Sequence, residues 1–149
     1  IRRTVYIPST TTFSTTIIGH NMDFTNYLAD RLIKATVGTV AWATPNKVFL
    51  ALYTEDPTKA GSSAGEVNQA SYNRQEVTFT DPVDGVSTNA NQIDWNTATS
   101  NWGNVGWISI MDASSGGFML YFSALDNAKE ILSGDQFKID AGKLNLTLT

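Results

Sequence analysis

Residues 101–124, Asn-Trp-Gly-Asn-Val-Gly-Trp-Ile-Ser-Ile-Met-Asp-Ala-Ser-Ser-Gly-Gly-Phe-Met-Leu-Tyr-Phe-Ser-Ala, read as two strands joined by a polar turn. Residues 105–111 put Ile108 and Ile110 on one face and Ser109 on the other, the period-two pattern of a half-buried strand. Residues 118–122 are an unbroken apolar run, which suits a strand covered on both faces. The turn between them ends in Gly116 and Gly117, which reach positive φ without steric cost, as hairpin turns demand. The hairpin is expected to be the centre of the core, with Ile108, Ile110, Leu120 and Phe122 facing inward. It speaks to architecture and not to function.

Further strands flank it. Residues 47–54 carry Val48, Leu50 and Leu52 on one face and Phe49, Ala51 and Tyr53 on the other, so an internal strand is expected. Residues 55–71, with Pro57, Gly61 and Gly65, form a loop long enough to suggest function or mobility. Residues 72–80 alternate Val77 and Phe79 with Glu76, Thr78 and Thr80, and residues 86–95 form a polar strand suited to an edge. Beyond the hairpin, residues 125–131 read as a connector and 136–140 as a strand with Phe137 and Ile139 inward. The last strand sets Leu144, Leu146 and Leu148 against Asn145, Thr147 and Thr149. Residues 23–37 are the one convincing helix, with Phe24, Tyr27, Leu28, Leu32 and Ala35 on one face. Asp23 is its expected N-cap and Gly38 its stop. Many short strands, one early helix and no βαβ rhythm predict a mainly β fold. The form expected is an antiparallel β-sandwich, of which a jelly roll is one variety, in a single domain over residues 22–149.

Residues 1–21 differ from the rest. Residues 1–7 suit a short strand stopped by Pro8, and residues 9–16 are nearly all Ser and Thr. Val5, Tyr6, Ile7, Phe13, Ile17 and Ile18 are costly to leave in water, so this segment is expected to be an extended arm. Such an arm adds a strand to a neighbouring chain, where backbone hydrogen bonds hold it.

Composition narrows the function. The 149 residues suit one domain with a proper core, and only 16% are charged, with a net charge of -4. Without a basic segment a nucleic-acid role has no electrostatic footprint. No apolar run approaches the ~20 residues that span a bilayer as a helix. The absence of cysteine removes disulfides and thiol catalysis. The N-terminal residues carry no signal-peptide core, and a start at Ile1 rather than Met fits residues missing upstream or removed by processing.

Chemistry is hard to find. The single histidine, His20, lies in the arm, where a catalytic base would not be held in place. One histidine and no cysteine nearly exclude the usual zinc sites. The acid pairs Glu55/Asp56 and Asp81/Asp84 sit in Pro-containing turns, where acids form turns and carry solvated charge. Asp81 and Asp84 could touch calcium but lack the spacing of an EF-hand loop. No catalytic residue, cofactor site or metal ligand is assigned. Trp95, Trp102 and Trp107 cluster among Asn and Thr residues and form a candidate glycan platform, the alternative being that they pack the sandwich.

The order of short motifs carries a resemblance. Thr25-Asn26-Tyr27-Leu28, the run from Val48 to Pro57, Tyr72-Asn73-Arg74, Trp102-Gly103-Asn104-Val105, the turn at 112–117, Ser133-Gly134-Asp135 and Ala141-Gly142-Lys143-Leu144 make residues 22–149 similar to small tailed-phage virion proteins. These are labelled tail-fibre-like or minor structural proteins. The resemblance implies a particle component without catalysis, and residues 1–21 stand outside it. The arm then favours a capsid decoration or cement protein on the outer shell, bridging neighbouring subunits. Its expected partners are the major capsid protein and other copies of itself, a homo-oligomer on the virion. The alternative is a tail or tail-fibre component that recognises host glycans through the tryptophans.

Overall fold

The computed structural model describes Arg3–Ile7 as a backbone strand and residues 22–148 throughout. In chain order the elements are β1 (Arg3–Ile7), β2 (Asp23–Phe24), α1 (Asn26–Thr36), β3 (Val48–Tyr53), β4 (Gln75–Val77), β5 (Val86–Thr88), β6 (Ile93–Asp94), β7 (Gly103–Met111), β8 (Met119–Ile131), β9 (Asp135–Ile139) and β10 (Asn145–Thr147). The main sheet has the order β2-β8-β7-β3-β4 and is antiparallel. A second sheet has the order β1-β9-β6, and β10 pairs with β5.

The 101–124 hairpin is the centre of the main sheet, as the sequence predicts. β7 has β8 on one side and β3 on the other. Gly116 and Gly117 take φ of 61° and 72° in the turn. Asp112 closes that turn, its Oδ1 accepting from the Phe118 backbone N–H at 2.7 Å. Leu50, Leu52, Ile108, Ile110 and Leu120 join Ile93, Phe137, Ile139 and Leu144 in the main core, so strands of both larger sheets share it. This is the packing of a β-sandwich.

Three expectations need correction. The supposed connector at 125–131 is the second half of β8, paired with the start of β7 through Val105↔Lys129, Asn104↔Glu130 and Gly103↔Ile131. Phe122 does not face the main core. The β7–β8 register shifts between Ile110 and Met111, and Phe122 opposes Ser109 on the other face. There it packs with Ala51, Tyr53, Met111 and Met119, a second cluster that buries the sheet on both sides. The polar strand at 86–95 is two strands in different sheets, β5 and β6. Asn89 breaks it: the buried side chain donates to the carbonyls of Asn91 and Asp140 and accepts from the Leu144 N–H.

The helix also starts later than expected. Asp23 and Phe24 are still extended, paired with Phe122 and Tyr121. Thr25 is the N-cap, accepting from the Leu28 N–H at 3.2 Å while its hydroxyl donates to the Met119 carbonyl at 2.6 Å. One side chain thus caps the helix and fastens it to β8. Of the helix residues, Leu28 is buried, whereas Ile33 and the C-cap residue Val37 project into solvent.

Candidate functional site

The long loop after β3 folds back on the strand it leaves. The Thr54 N–H donates to the Gly65 carbonyl at 2.9 Å and the Val67 N–H to the Leu52 carbonyl at 2.9 Å, so residues 65–67 extend the pairing of β3. Gly65 is required there, because a Cβ would stand 2.7 Å from the Glu55 Cβ. Within the loop, the Ser62 N–H donates to the Pro57 carbonyl, and Asp56 Oδ1 accepts from the Thr58 N–H. The Asn26 N–H then donates to the Lys59 carbonyl at 2.8 Å, tying the loop to the start of α1.

Arg74 fastens this loop to the β7–β8 turn. Its Nε and Nη2 donate to the two carboxylate oxygens of Glu66 at 2.8 Å each, a bidentate fork. Its Nη1 donates to the carbonyls of Ala113 and Gly116, both at 2.8 Å. Only 6% of the Arg74 side chain and 15% of the Glu66 side chain are exposed, so the pair is largely out of water. Glu66 holds the Arg74 guanidinium firmly in its charged form. Around the pair lies a cavity of about 370 Å³, lined among others by Ser63, Glu66, Asn68, Arg74, Met111 and Gly117.

Two phenols lie close to the ion pair, and one of them is bonded to it. Tyr72 donates its hydroxyl proton to Glu66 Oε2 at 2.9 Å and accepts from the Leu52 N–H at 3.0 Å. Burial, reinforced by the Glu66 charge, pushes its pKa up strongly. In the second cluster, Ser109 donates to the Tyr53 hydroxyl at 3.0 Å, and Tyr53 points its own proton at Met111 Sδ. Burial pushes Tyr53 up to about 12, against the opposing pull of the Ser109 hydrogen bond. Both phenols are therefore held neutral. Tyr72 braces a loop end. Each phenol hydroxyl is bonded to a neighbouring side chain.

The candidate residues from sequence fall elsewhere. Trp95 and Trp102 are 1% and 4% exposed, in the main core, and have no ring face to offer a sugar. Trp95 packs edge-on against Phe137, and its indole N–H has no partner among the described residues. Trp102 meets Tyr72 edge-on and donates to Ser71 Oγ. Trp107 is half-buried against Phe122 on the other side of the main sheet. The three do not form one platform. Glu55, Asp56, Asp81 and Asp84 are exposed loop residues, and Asp84 sits in a tight turn with φ of 51°. Val5, Tyr6 and Ile7 lie on β1, in parallel register with Phe137, Lys138 and Ile139 of the same chain. Phe13, Ile17, Ile18 and His20 fall outside the described residues.

Residues 23–147 match the family model described as Podophage GP4 fiber I protein gp80. The chain belongs to this fibre-protein family. The match takes in α1, the main sheet, β9 and the Glu66–Arg74 pair, and it begins after β1. The expected tailed-phage, tail-fibre-like virion family is thus the observed one, and membership places the protein in the virion. No curated protein matches the chain.

Proposed function

We propose that the protein is a non-enzymatic component of a phage tail fibre. The observation that carries this reading is the match of residues 23–147 to a podophage fibre protein family. The site geometry supports it. The most conspicuous polar cluster, Glu66, Arg74 and Tyr72, is bonded internally and stiffens a loop end. A particle component subject to mechanical load gains from such bracing. Capsid decoration rests on an extended arm that bridges neighbouring shell subunits. Residues 3–7 find a place on β9 of their own chain, so the arm alone does not call for a shell. Host-sugar binding is not assigned to the tryptophans, two of which are buried.

The test is imaging of particles that carry this protein with an electron-dense label on the exposed residues 114–115 of the β7–β8 turn. Label on the tail appendages is the expected result. Label distributed over the shell would restore capsid decoration and reject the fibre reading.

A further inference from the structure

β1 is an addition to the family unit, yet it completes one of that unit's sheets. The family match starts at residue 23, and β1 precedes it. Within residues 23–147, β9 has β6 on one side only, paired at Ile93↔Ile139 and Asp94↔Lys138. Its other edge is free for a strand, and here β1 fills it in parallel register from Arg3↔Asp135 to Ile7↔Ile139. An unpaired strand edge presents a row of N–H and C=O groups that recruits another strand. The alternate residues of β9, Asp135, Phe137 and Ile139, are buried, so the acceptor strand is anchored in the fold. Val5 and Ile7 take the register positions beside Phe137 and Ile139.

The connection to β1 is not local. Residues 8–22 separate it from β2, and that length of chain can span up to roughly 50 Å when extended. A domain of this size has a radius of gyration of only about 14 Å. The tether is therefore long enough to reach a touching copy as well as its own domain. Strand addition to β9 gains the same backbone hydrogen bonds whichever copy supplies the strand, the condition under which identical elements exchange between protomers.

We propose that the edge of β9 opposite β6 is a strand-acceptor site, and that in the assembled particle it takes β1 of a second copy. This deepens the fibre reading and rests on it for the meeting of copies on the appendage. The exchange itself can be read on purified full-length protein. The chain has no cysteine, so engineered ones report cleanly. Tyr6 and Lys138 are register partners on adjacent strands, about 4.8 Å apart, within the Cα range of a disulfide.

The experiment mixes two single variants, Tyr6→Cys in one chain and Lys138→Cys in a second chain of different mass, at high concentration under mild oxidation. The expected product is a disulfide-linked heterodimer. Tyr6→Cys mixed with Asn127→Cys, an exposed position off the register, should give none. In particles carrying both Tyr6→Cys and Lys138→Cys in one chain, the expected outcome is covalent multimers. A heterodimer yield equal to the off-register control, with only internally closed monomers on particles, would overturn the proposal. Multimers on particles whose label lies on the shell would uphold strand exchange and reject only the fibre position.

Discussion

Two edges of this molecule are closed by different means. At the loop end of the main sheet, Arg74 joins residues from two loops through four charge-assisted hydrogen bonds, and every partner lies inside the family unit. At the β9 edge the closing element is β1, which lies outside that unit and is joined by backbone pairing. The first closure is specific to one side-chain geometry and cannot be supplied by another molecule without unpacking the loop. The second uses groups that any copy of the chain presents. A fibre subunit benefits from both, a stiff module and an edge through which modules can be joined.

The largest effect is expected at Arg74. Arg74→Ala leaves the Glu66 carboxylate largely buried without its partner, a change that costs about 3–5 kcal/mol in comparable pairs. Chemical denaturation should show that loss, and proteolysis should cut first within residues 55–71. A loss below about 1 kcal/mol, the range of exposed pairs, would mean the fork is solvated and the two edges are not different in kind.

Alkali should act on the same end. Tyr53 is held near 12 in the folded protein against about 10 unfolded, so the native form keeps its proton more tightly. Its contribution to stability is fully present below pH of about 10 and is lost as pH rises through about 12. Thermal stability measured across that window should fall, with phenolate absorbance from Tyr53 appearing as the fold is lost. Tyr53→Phe should flatten the fall. An unchanged slope in that variant would move the effect elsewhere, with Tyr72 the next group to test.

Ser109→Ala should have a smaller effect. It removes one hydrogen bond to the Tyr53 hydroxyl, worth about 1 kcal/mol, and leaves the sheet pairing intact. Equilibrium unfolding can resolve that difference, and a loss several times larger would make Ser109 a hinge of the second core.

Much of the architecture was legible in the sequence because it is written in period-two alternation. The first strand of the hairpin and the strand around Phe137 and Ile139 show it plainly, and the strand at 47–54 is marked instead by an unbroken apolar run. The misread parts depend on information that no local window holds. The second half of β8 carries exposed Asp126, Asn127 and Ala128 and looks like a connector, yet it pairs because β7 lies beside it. Phe122 changed faces through a bulge that composition does not mark. The cap moved from Asp23 to Thr25 because β8 holds residues 23–24 extended. At the site, Arg74 and Glu66 are eight positions apart, and Ala113 and Gly116 lie far downstream, so nothing periodic links them. A usable clue was chemical: in a chain so poor in charge, an arginine directly after Tyr72-Asn73, at the start of the strand read over residues 72–80, needed a partner. The tryptophans misled because indoles near amides suit both a sugar platform and a core, and burial alone separates the two.

The account's central claim is that residues 22–148 are a self-sufficient module and β1 an added strand on its β9 edge. Amide hydrogen exchange measured on the full chain and on a chain lacking residues 1–21 tests it directly. Deletion should lower protection at alternate amides of β9, those turned toward β1, and leave β3, β7 and β8 protected as before. Protection lost throughout β7 and β8, or retained at every amide of β9, would contradict it.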